Sequence, residues 1–324
     1  MVHAIRIHQT GGPEVMKWEE VAVGEPGPGQ VRLRQTAVGL NYIDVYVRTG
    51  LYKNPLPLIP GMEAAGVVEA VGPDVYYFKV GDRVGYCTGG TGGYAEARLY
   101  PAERLIHLPD GIDDQTGAAM LLQGLTAHYL LHRTFPVKPG QTILLHAAAG
   151  GVGLIACQWA KALGATVIGT VGSDEKAELA RANGCDHAIV YTRENFVERV
   201  KEITNGQGVP VVYDSIGKDT FYQSLDCLSR LGTMVSFGNA SGPVGAVDIS
   251  ILNTKGSLFL TRPSLGGYVA TTQELRDSAN ALFAAVLSGK VKIDVRQTFA
   301  LKDAAQAHIA LEARRTTGST VLLP

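Results

Sequence analysis

The glycine-rich turn Ala-Ala-Gly-Gly-Val-Gly, which begins at Ala148, constrains the fold of this chain more than any other feature. It follows the apolar run QTILLHAA and opens the helical run GLIACQWAKALG. Such a turn between a strand and a helix is the fingerprint of a dinucleotide-binding βαβ unit, although Ala148 replaces its first glycine. Gly150 would let the backbone approach a pyrophosphate, and Gly153 would let the helix pack closely on the sheet. The first helical amides, at Gly151 and Val152, would hold the anion, so the turn predicts a dinucleotide site.

Strand-like and helix-like runs alternate around this turn. The strand-like runs after it are TVIGTV, HAIVYT, VPVVYDSIG, GTMVSFGNASG and SLFLTRPS. The helix-like runs between them are DEKAELARANG, ENFVERVKEITNG and KDTFYQSLDCLSRLG. This alternation predicts a doubly wound parallel sheet of six strands with helices on both faces.

The two ends of the chain have a different pattern. The first hundred or so residues contain short β-prone runs such as QVRLRQTAVG and AAGVVEAVG, separated by the turn signals GEPGPG and GPD. After about residue 262 only two helix-like runs and a last strand-like run, STVLLP, remain, and so short a piece cannot bury its own core. We therefore predict an α/β chain in which residues 1–123 and 263–324 form one β-rich domain and residues 124–262 form an inserted nucleotide-binding domain.

Charge and cysteine content exclude several classes of protein. The chain has 29 Lys and Arg against 30 Asp and Glu, and this net charge of -1 argues against binding a polyanion through bulk charge. No apolar run approaches the roughly 18 residues that a membrane span requires. The four cysteines lack C-x-x-C spacing, which indicates reduced thiols. We expect a cytoplasmic protein without membrane or nucleic-acid partners.

The second strand indicates which dinucleotide is bound. An NAD site usually has an acidic residue at the end of this strand, which bonds the ribose 2′-hydroxyl. Here Gly172 and Ser173 occupy that place and offer donors, while Asp174 and Glu175 come later and fit the first turn of a helix. Lys176 is either placed to meet an extra phosphate or is a solvated helix lysine. The motif predicts NADPH as the cofactor.

Several strings resemble one protein family over essentially the whole chain. They are GGPEV, NYIDVYVRTGLY, PGMEAAGVVEAVG, KVGDRV, HAAAGGVG, YDSIG and VSFGN. They are similar to the zinc-free, zeta-crystallin-like quinone oxidoreductases among the medium-chain dehydrogenase/reductases, and the match is close to the bacterial NADPH:quinone reductases of that branch. The resemblance implies a GroES-like β-rich catalytic domain with an inserted Rossmann domain. It also implies a homodimer that pairs the edge strands SLFLTRPS of two copies, because an apolar edge strand needs covering.

The chain departs from the zinc-containing branch of that family at the metal positions. The catalytic Cys position is Asn41 and the His position is Met62, and neither residue is a good zinc ligand. Cys87 stands alone where the zinc branch has four close cysteines. His128 and His132 have i, i+4 spacing, but no Glu follows His128 as in H-E-x-x-H, so we interpret them as ordinary helix histidines. No metal is expected.

The resemblance also implies roles for individual residues. It places Asn41 and Asp44 near the nicotinamide, and Tyr46 and Tyr52 along a quinone pocket in the cleft between the domains. Two alternatives stay open from the residues alone. Both tyrosines could simply cover the surface of the barrel without lining a pocket, and Asp44 could be a structural cap. Gln123 either touches the nicotinamide or is a satisfied buried amide.

Further cofactor contacts are implied at the carboxyl ends of the parallel strands, where open α/β sheets bind ligands. These candidates are Tyr191, Ser215, Ile216, Gly238 and Asn239, with Arg314 in the C-terminal helix and, more weakly, Arg262. Tyr191 would cover the side of the adenosine 2′-phosphate, and Arg314 either reaches that phosphate or is a surface arginine.

The sequence therefore predicts an NADPH-dependent, zinc-free quinone reductase. A quinone is already electrophilic, so hydrogen-bond donors near its oxygens suffice where an alcohol would need a Lewis acid. The same chemistry leaves an NADPH-dependent alkenal or enone double-bond reductase open. A third class is an NADPH-binding protein with an RNA-binding or crystallin-like structural role, but the aromatic content of 7% and the neutral charge give it little support.

Overall fold

The computed structural model describes residues 1–324 and divides the chain into two compact units. Unit 1 comprises Met1–Leu125, Val269–Leu287 and Ile293–Pro324, and unit 2 comprises Thr126–Tyr268 and Ser288–Lys292. The sequence-based boundaries at 123/124 and 262/263 lie a few residues before these divisions. Nothing in the sequence pattern indicated that the short segment 288–292 belongs with unit 2.

The first part of the chain is rich in short β-strands. Its elements are β1 (Val2–Arg6), β2 (Lys17–Val21), β3 (Gln30–Leu40), α1 (Tyr42–Thr49), β4 (Glu63–Val71), β5 (Arg83–Tyr86), β6 (Ala97–Pro101), β7 (Ile106–His107) and α2 (Asp114–Tyr129). A π-helical turn, Leu130–Thr134, continues α2 toward Pro136. β1 and β2 form a separate antiparallel pair.

The middle of the chain alternates strands and helices, as predicted. Its elements are β8 (Thr142–Leu145), α3 (Gly151–Ala162), β9 (Thr166–Val171), α4 (Asp174–Ala182), β10 (His187–Val190), α5 (Phe196–Ile203), β11 (Val209–Asp214), α6 (Phe221–Leu225), β12 (Leu228–Ser236), α7 (Ser250–Thr254), β13 (Phe259–Thr261) and α8 (Leu265–Tyr268). The six strands form one parallel sheet in the order β10-β9-β8-β11-β12-β13. This is the 3-2-1-4-5-6 order of a Rossmann fold, so the predicted fold of this region is confirmed.

One helix of this region is much shorter than its sequence suggests. The run KDTFYQSLDCLSRLG predicts a helix of about four turns, but α6 ends at Leu225 and β12 begins at Leu228. Leu231 has a left-handed φ of 62°, which an α-helix does not allow. Pairing with β11 takes over here, because Val209 aligns with Leu228 and its N–H donates to the Cys227 carbonyl. The helical prediction after Leu225 was therefore wrong.

The last part of the chain returns to the sheet of unit 1, as predicted. Its elements are α9 (Thr272–Leu287), β14 (Val295–Ala300), α10 (Ala304–Glu312) and β15 (Ser319–Leu323). β15 pairs antiparallel with β3, and the sheet has the order β14-β15-β3-β4-β5-β7, with β6 also paired to β3. The C-terminal strand thus completes the sheet that β3 and β4 begin.

Each unit has its own hydrophobic core. In unit 2 the central residues Leu144, Ile168, Ile189, Val212 and Met234 come from five neighbouring strands and are almost fully buried. Apolar runs on both faces are expected in a parallel sheet covered by helices. No helix of residues 1–324 is long and apolar enough to cross a membrane, and all four cysteines are free and buried.

Candidate active site

The glycine turn forms an open cradle at the start of α3. Gly150 is the N-cap residue and makes no side-chain cap, and the first intrahelical bond runs from Leu154 N to Gly150 O at 2.9 Å. The three amides before Leu154 precede that bond, as at any helix N-terminus. A Cβ on Gly153 would lie 2.2 Å from the Ala147 carbonyl oxygen. The bare backbone therefore brings the helix dipole and the amides to a place where an anion fits.

Ala148, the departure from the glycine motif, is accommodated by a second glycine. Its side chain is fully buried, and its N–H donates to the Thr170 carbonyl at 3.1 Å. A Cβ on Gly169 of β9 would lie 2.6 Å from the Ala148 Cβ. The methyl group of Ala148 thus occupies space that Gly169 leaves open, which explains why the turn tolerates alanine here.

Four of the predicted cofactor residues meet at the carboxyl ends of β9 and β10. Gly172 follows β9, and a Cβ there would lie 3.0 Å from the Tyr191 hydroxyl. Ser173 is the N-cap of α4, and its Oγ accepts from the Lys176 N–H at 3.3 Å. The Ser173 hydroxyl therefore already stabilises the helix, while Lys176 stands in the first turn above it.

The structure adds an ion pair that sequence reasoning missed. Arg193 Nη1 and Nη2 lie 2.6 and 2.5 Å from the two oxygens of Asp174. The guanidinium lowers the pKa of Asp174 through hydrogen bonding and charge, and Asp174 raises that of Arg193. Arg193 thus offsets a carboxylate that would repel a phosphate near Ser173. The sequence signal that could have identified Arg193 is its position two residues after Tyr191.

Asp214 holds the loop after β11 and was also missed. It is fully buried, and its Oδ1 accepts from the Ile216 N–H at 2.8 Å and the Gly217 N–H at 3.0 Å. Its Oδ2 accepts from Thr220 Oγ1 at 2.7 Å and from Ser224 Oγ at 3.0 Å. The carboxylate therefore fixes the backbone that carries the predicted residues Ser215 and Ile216.

A buried histidine extends this network into the core. His146 lies 2.8 Å from Ser224 Oγ through Nε2 and 2.8 Å from Thr170 Oγ1 through Nδ1. Because Ser224 donates to Asp214, His146 Nε2–H must donate to Ser224 and Nδ1 must accept from Thr170. Burial lowers the pKa of His146, which fits this neutral form. The Ser-His-Asp set is closed to solvent, so it supports the fold and does not form a nucleophile.

The loop after β12 lies against the loop after β11. The Ala240 N–H donates to the Ser215 carbonyl at 3.1 Å. A Cβ on Gly238 would lie 2.3 Å from that same carbonyl oxygen. Arg262 Nη1 donates to the Ser236 carbonyl at 2.7 Å and so supports the loop. The segments with Ser215, Gly238 and the adjoining Asn239 are thus brought together, as their place at the strand ends predicts.

In unit 1, Asp44 and Asn41 are joined at the start of α1. Asp44 Oδ2 accepts from the Asn41 N–H at 2.9 Å, so Asp44 does cap the helix. The same oxygen accepts from the Tyr94 hydroxyl at 2.9 Å, and that hydroxyl lies 2.9 Å from His308 Nε2. Burial raises the pKa of Asp44 to about 7. Whether Asp44 also contacts the nicotinamide stays a prediction.

The side chain of Asn41 lies between two other buried polar groups. Asn41 Nδ2 donates to Glu63 Oε2 at 2.7 Å, and Gln123 Nε2 donates to Asn41 Oδ1 at 3.1 Å. Glu63 was missed, although it directly follows Met62, one of the two residues used above to argue against zinc. Burial raises the pKa of Glu63 to about 8, against the lowering effect of its hydrogen bonds from Asn41 and Leu122.

The predicted pocket tyrosines form an aromatic cluster. The ring centroids of Tyr46 and Tyr52 are 5.2 Å apart with an edge-on geometry, and those of Tyr42 and Tyr46 are 5.5 Å apart. The Tyr52 N–H donates to the Tyr46 carbonyl at 3.0 Å, which ties the loop after α1 to the helix. Tyr46 is buried and Tyr52 is half-buried, so the cluster packs on the core at one side.

Arg314 lies in unit 1, just beyond α10 and not within it. It has a left-handed φ of 58°, and its charge lowers the pKa of Tyr42, which burial and Glu312 raise. Glu312 in turn binds the fully buried Arg48, at 2.7 Å between Arg48 Nη2 and the carboxylate. The predicted phosphate contact of Arg314 stays a prediction.

His128 and His132 belong to an aromatic stack. Their ring centroids are 5.0 Å apart and lie 5.6 and 5.2 Å from the Trp159 ring. Burial lowers the pKa of His128 to about 4. In residues 1–324 no group of three or more His, Cys, Asp or Glu side chains is arranged so that it could hold a metal ion.

Comparison with known proteins identifies the class. A family model described as an alcohol dehydrogenase GroES-like domain matches residues 27–110, and one described as a zinc-binding dehydrogenase matches residues 151–285. A GroES-like unit that carries an inserted Rossmann unit defines a medium-chain dehydrogenase/reductase.

Full-length relatives show which branch of this family the chain belongs to. The chain is 55% identical to a quinone oxidoreductase of Pseudomonas aeruginosa over 100% of both chains. It is 51% identical to a 2-haloacrylate reductase of Burkholderia sp over 100% of this chain and 99% of the relative. A crystal structure of Escherichia coli quinone oxidoreductase complexed with NADPH matches with a TM-score of 0.98 and 50% identity, covering 99% of this chain and 100% of that one. The chain belongs to the zinc-independent quinone oxidoreductases of the family.

Proposed function

We propose that this protein is an NADPH-dependent quinone reductase. The observation that carries the proposal is the match to the Escherichia coli enzyme with NADPH, which covers 99% of the chain at a TM-score of 0.98. The glycine turn at α3 supports it independently, because Gly153 allows the start of the helix to pack against the Ala147 and Ala148 backbone, which places the first helical amides where a pyrophosphate binds.

The residues present fit NADPH. The amides at the start of α3 would hold the pyrophosphate, and the loops that carry Ser215 and Gly238 would flank the nicotinamide half. Lys176, Tyr191 and Arg193 would recognise the 2′-phosphate, since no unpaired carboxylate occupies the end of β9. When bound, NADPH supplies the hydride that reduces the acceptor.

The donors of unit 1 suit a quinone. Asn41 and Gln123 each carry an amide N–H beyond those used in the bonds described above. Such donors would orient a carbonyl oxygen and stabilise the negative charge that reduction places on it. Tyr46 and Tyr52 would supply a flat aromatic surface for the ring.

Titration and turnover test this proposal together. We expect NADPH to bind at least about tenfold more tightly than NADH, a difference of about 1.4 kcal/mol, and to be oxidised with 1,4-benzoquinone. Lys176→Gln should weaken the binding of NADPH and leave the binding of NADH unchanged, because it removes only a partner of the 2′-phosphate. Equal affinity for both dinucleotides, measured by nicotinamide fluorescence, would contradict the cofactor assignment.

A second candidate is reduction of an activated carbon–carbon double bond. The full-length relative at 51% identity that is a 2-haloacrylate reductase favours it. In that reaction the same donors would stabilise an enolate oxygen. The turnover experiment separates the two candidates: a higher kcat/KM for 2-chloroacrylate or a small enone than for benzoquinone would replace the quinone assignment.

We also propose a homodimer through the edge of the unit 2 sheet. β13 pairs only with β12, and Phe259 and Leu260 are 60% and 37% exposed. An apolar strand edge of this kind favours pairing with a second copy. Light scattering should give twice the chain mass of 34.4 kDa. Phe259→Asp should yield monomers, because two carboxylates would meet near the twofold axis. The control Val80→Asp should remain dimeric. A monomeric wild type would contradict the proposed dimer.

A reducing compartment such as the cytoplasm is the location that we propose. All four thiols are free and buried, which suits a chain that needs no disulfide.

A further inference from the structure

A chain of buried hydrogen bonds crosses unit 1 from β15 to β4. Ser319 Oγ lies 2.7 Å from Gln123 Oε1, Gln123 Nε2 donates to Asn41 Oδ1, and Asn41 Nδ2 donates to Glu63. All four side chains are at least nine-tenths buried. Each amide oxygen of the chain is therefore committed as an acceptor, and each amide retains one N–H that the chain does not use.

The serine end of this hydrogen-bond chain does not determine which partner donates and which accepts along it. Ser319 Oγ also lies 3.0 Å from the Ala119 carbonyl oxygen. The hydroxyl therefore donates to Gln123 Oε1 in one arrangement. In the reverse arrangement it donates to Ala119 and accepts from Gln123 Nε2. Both arrangements satisfy Ser319.

When Glu63 is ionised, the glutamate end permits only one donor-to-acceptor direction. The Leu122 N–H donates to Glu63 Oε1 at 2.7 Å, so that oxygen must accept. An ionised carboxylate has no proton to give, so its other oxygen must accept as well, which obliges Asn41 to present its NH2 group. Gln123 must then present its own NH2 group to Asn41.

We propose that Glu63 is the positioning residue of the reaction: it fixes the direction of this chain and thereby places the unused N–H donors of Asn41 and Gln123 where the acceptor's oxygen needs them. The inference rests on the proposed reductase function. Glu63 itself acts only through Asn41.

Glu63→Gln is the most informative variant, because it reverses the donor and acceptor roles along the hydrogen-bond chain without breaking any of its bonds. Leu122 still requires an acceptor, so the new amide must direct its NH2 group at Asn41. Asn41 then turns to accept, Gln123 turns after it, and Ser319 accepts at the far end. Every group keeps a partner, so the protein should fold, but both unused N–H donors move to the opposite side of their amides.

The titration of Glu63 should have the same effect as this substitution. A protonated carboxyl group must donate toward Asn41, since Leu122 blocks the other oxygen. The charged and titratable groups that face Glu63 are Asp44 from α1, and Tyr86 and Cys87 from the end of β5. Burial holds the pKa of both Tyr86 and Cys87 above their ordinary values, so neither titrates near pH 8.

The experiment compares wild type, Glu63→Gln and Glu69→Gln. Glu69 lies on the same strand, β4, and is a half-exposed partner of Arg32 and Arg34. We expect Glu63→Gln to lower kcat at pH 8.5 at least tenfold with an unchanged dissociation constant for NADPH, and Glu69→Gln to match wild type. Wild-type kcat should rise with pH through the pKa of Glu63, and the residual kcat of Glu63→Gln should lack that step.

Nuclear magnetic resonance of the side-chain amides gives a readout that needs no turnover. The Asn41 and Gln123 signals should titrate near pH 8 in wild type and lose that step in Glu63→Gln, where only the effect of Asp44 near pH 7 is left. An active wild type with an equally active, folded Glu63→Gln variant would overturn the inference alone. A wild type without quinone turnover would overturn the proposed function, and the amide signals would then decide separately whether Glu63 sets the direction.

Discussion

Replacing Gly153 with alanine is expected to weaken NADPH binding at least a hundredfold and to destabilise unit 2. The new Cβ would lie 2.2 Å from the Ala147 carbonyl oxygen and 2.8 Å from the Ala148 backbone. These are main-chain atoms, which cannot relieve the clash by a side-chain rotation, so α3 must move away from β8. Overpacking of this kind costs about 1–3 kcal/mol, and the same movement displaces the amides that hold the pyrophosphate.

A matched substitution isolates this effect. Gly266 is also a helical glycine of unit 2, it has no left-handed φ, and a Cβ there would meet nothing within 4 Å. Gly266→Ala should therefore bind NADPH like wild type. Isothermal titration gives the affinities and urea denaturation gives the stabilities. A Gly153→Ala variant with wild-type affinity would mean that the start of α3 does not hold the cofactor.

The fold of unit 2 was predictable because its signals are local. Each strand and its following helix lie within about thirty residues, and turn glycines separate them. The prediction failed after Leu225, where pairing of β12 with β11 overrides a helix-like pattern. It also had no means of assigning Ser288–Lys292 to unit 2, because such an assignment depends on contacts and not on a periodic pattern.

The candidate site was predictable in part. The glycine turn and the strand ends follow from local pattern, and the roles of Asn41 and the pocket tyrosines came from family resemblance. Glu63 and Asp214 were missed because their importance depends on partners that the sequence does not show. Glu63 meets Asn41 across 22 residues, and Gln123 meets Ser319 across 196. A buried carboxylate in a β-rich unit is a general signal for such networks, since an unpaired one would be costly.

The stability of the protein is expected to fall as the pH rises from 6.5 to 8.5. Burial raises the pKa of Glu63 from 4.5 to about 8 and that of Asp44 from 3.8 to about 7. Across this interval the folded state still holds protons that the unfolded chain has released, so raising the pH favours unfolding. At about 1.4 kcal/mol per pKa unit, these two carboxyl groups together lower the free energy of unfolding by about 3 kcal/mol over the interval, most of it through Glu63.

The buried histidines contribute to the same pH dependence with the opposite sign. Burial lowers the pKa of His128 to about 4 and of His308 to about 3, from an ordinary 6.5. Groups of this kind stabilise the fold above their unfolded pKa and lose that contribution as the pH falls, so they oppose the carboxyl groups. Each such histidine contributes about 0.4 kcal/mol within the interval, because the unfolded side chain is still half protonated at pH 6.5. Wild type and Glu63→Gln share this histidine contribution, so the difference between the two proteins reports Glu63.

Urea denaturation of three proteins at pH 6.5 and 8.5 tests this expectation. Glu63→Gln cannot titrate at this position and should lose most of the decrease in stability, leaving the smaller share of Asp44. Glu69→Gln should keep the wild-type decrease, because its partners Arg32 and Arg34 hold it at the surface. Equal changes in the free energy of unfolding of wild type and Glu63→Gln over the interval would show that Glu63 is ionised throughout. Its hydrogen bonds from Asn41 and Leu122 would then outweigh its burial, and the direction of the amide chain would be fixed at every pH in the interval.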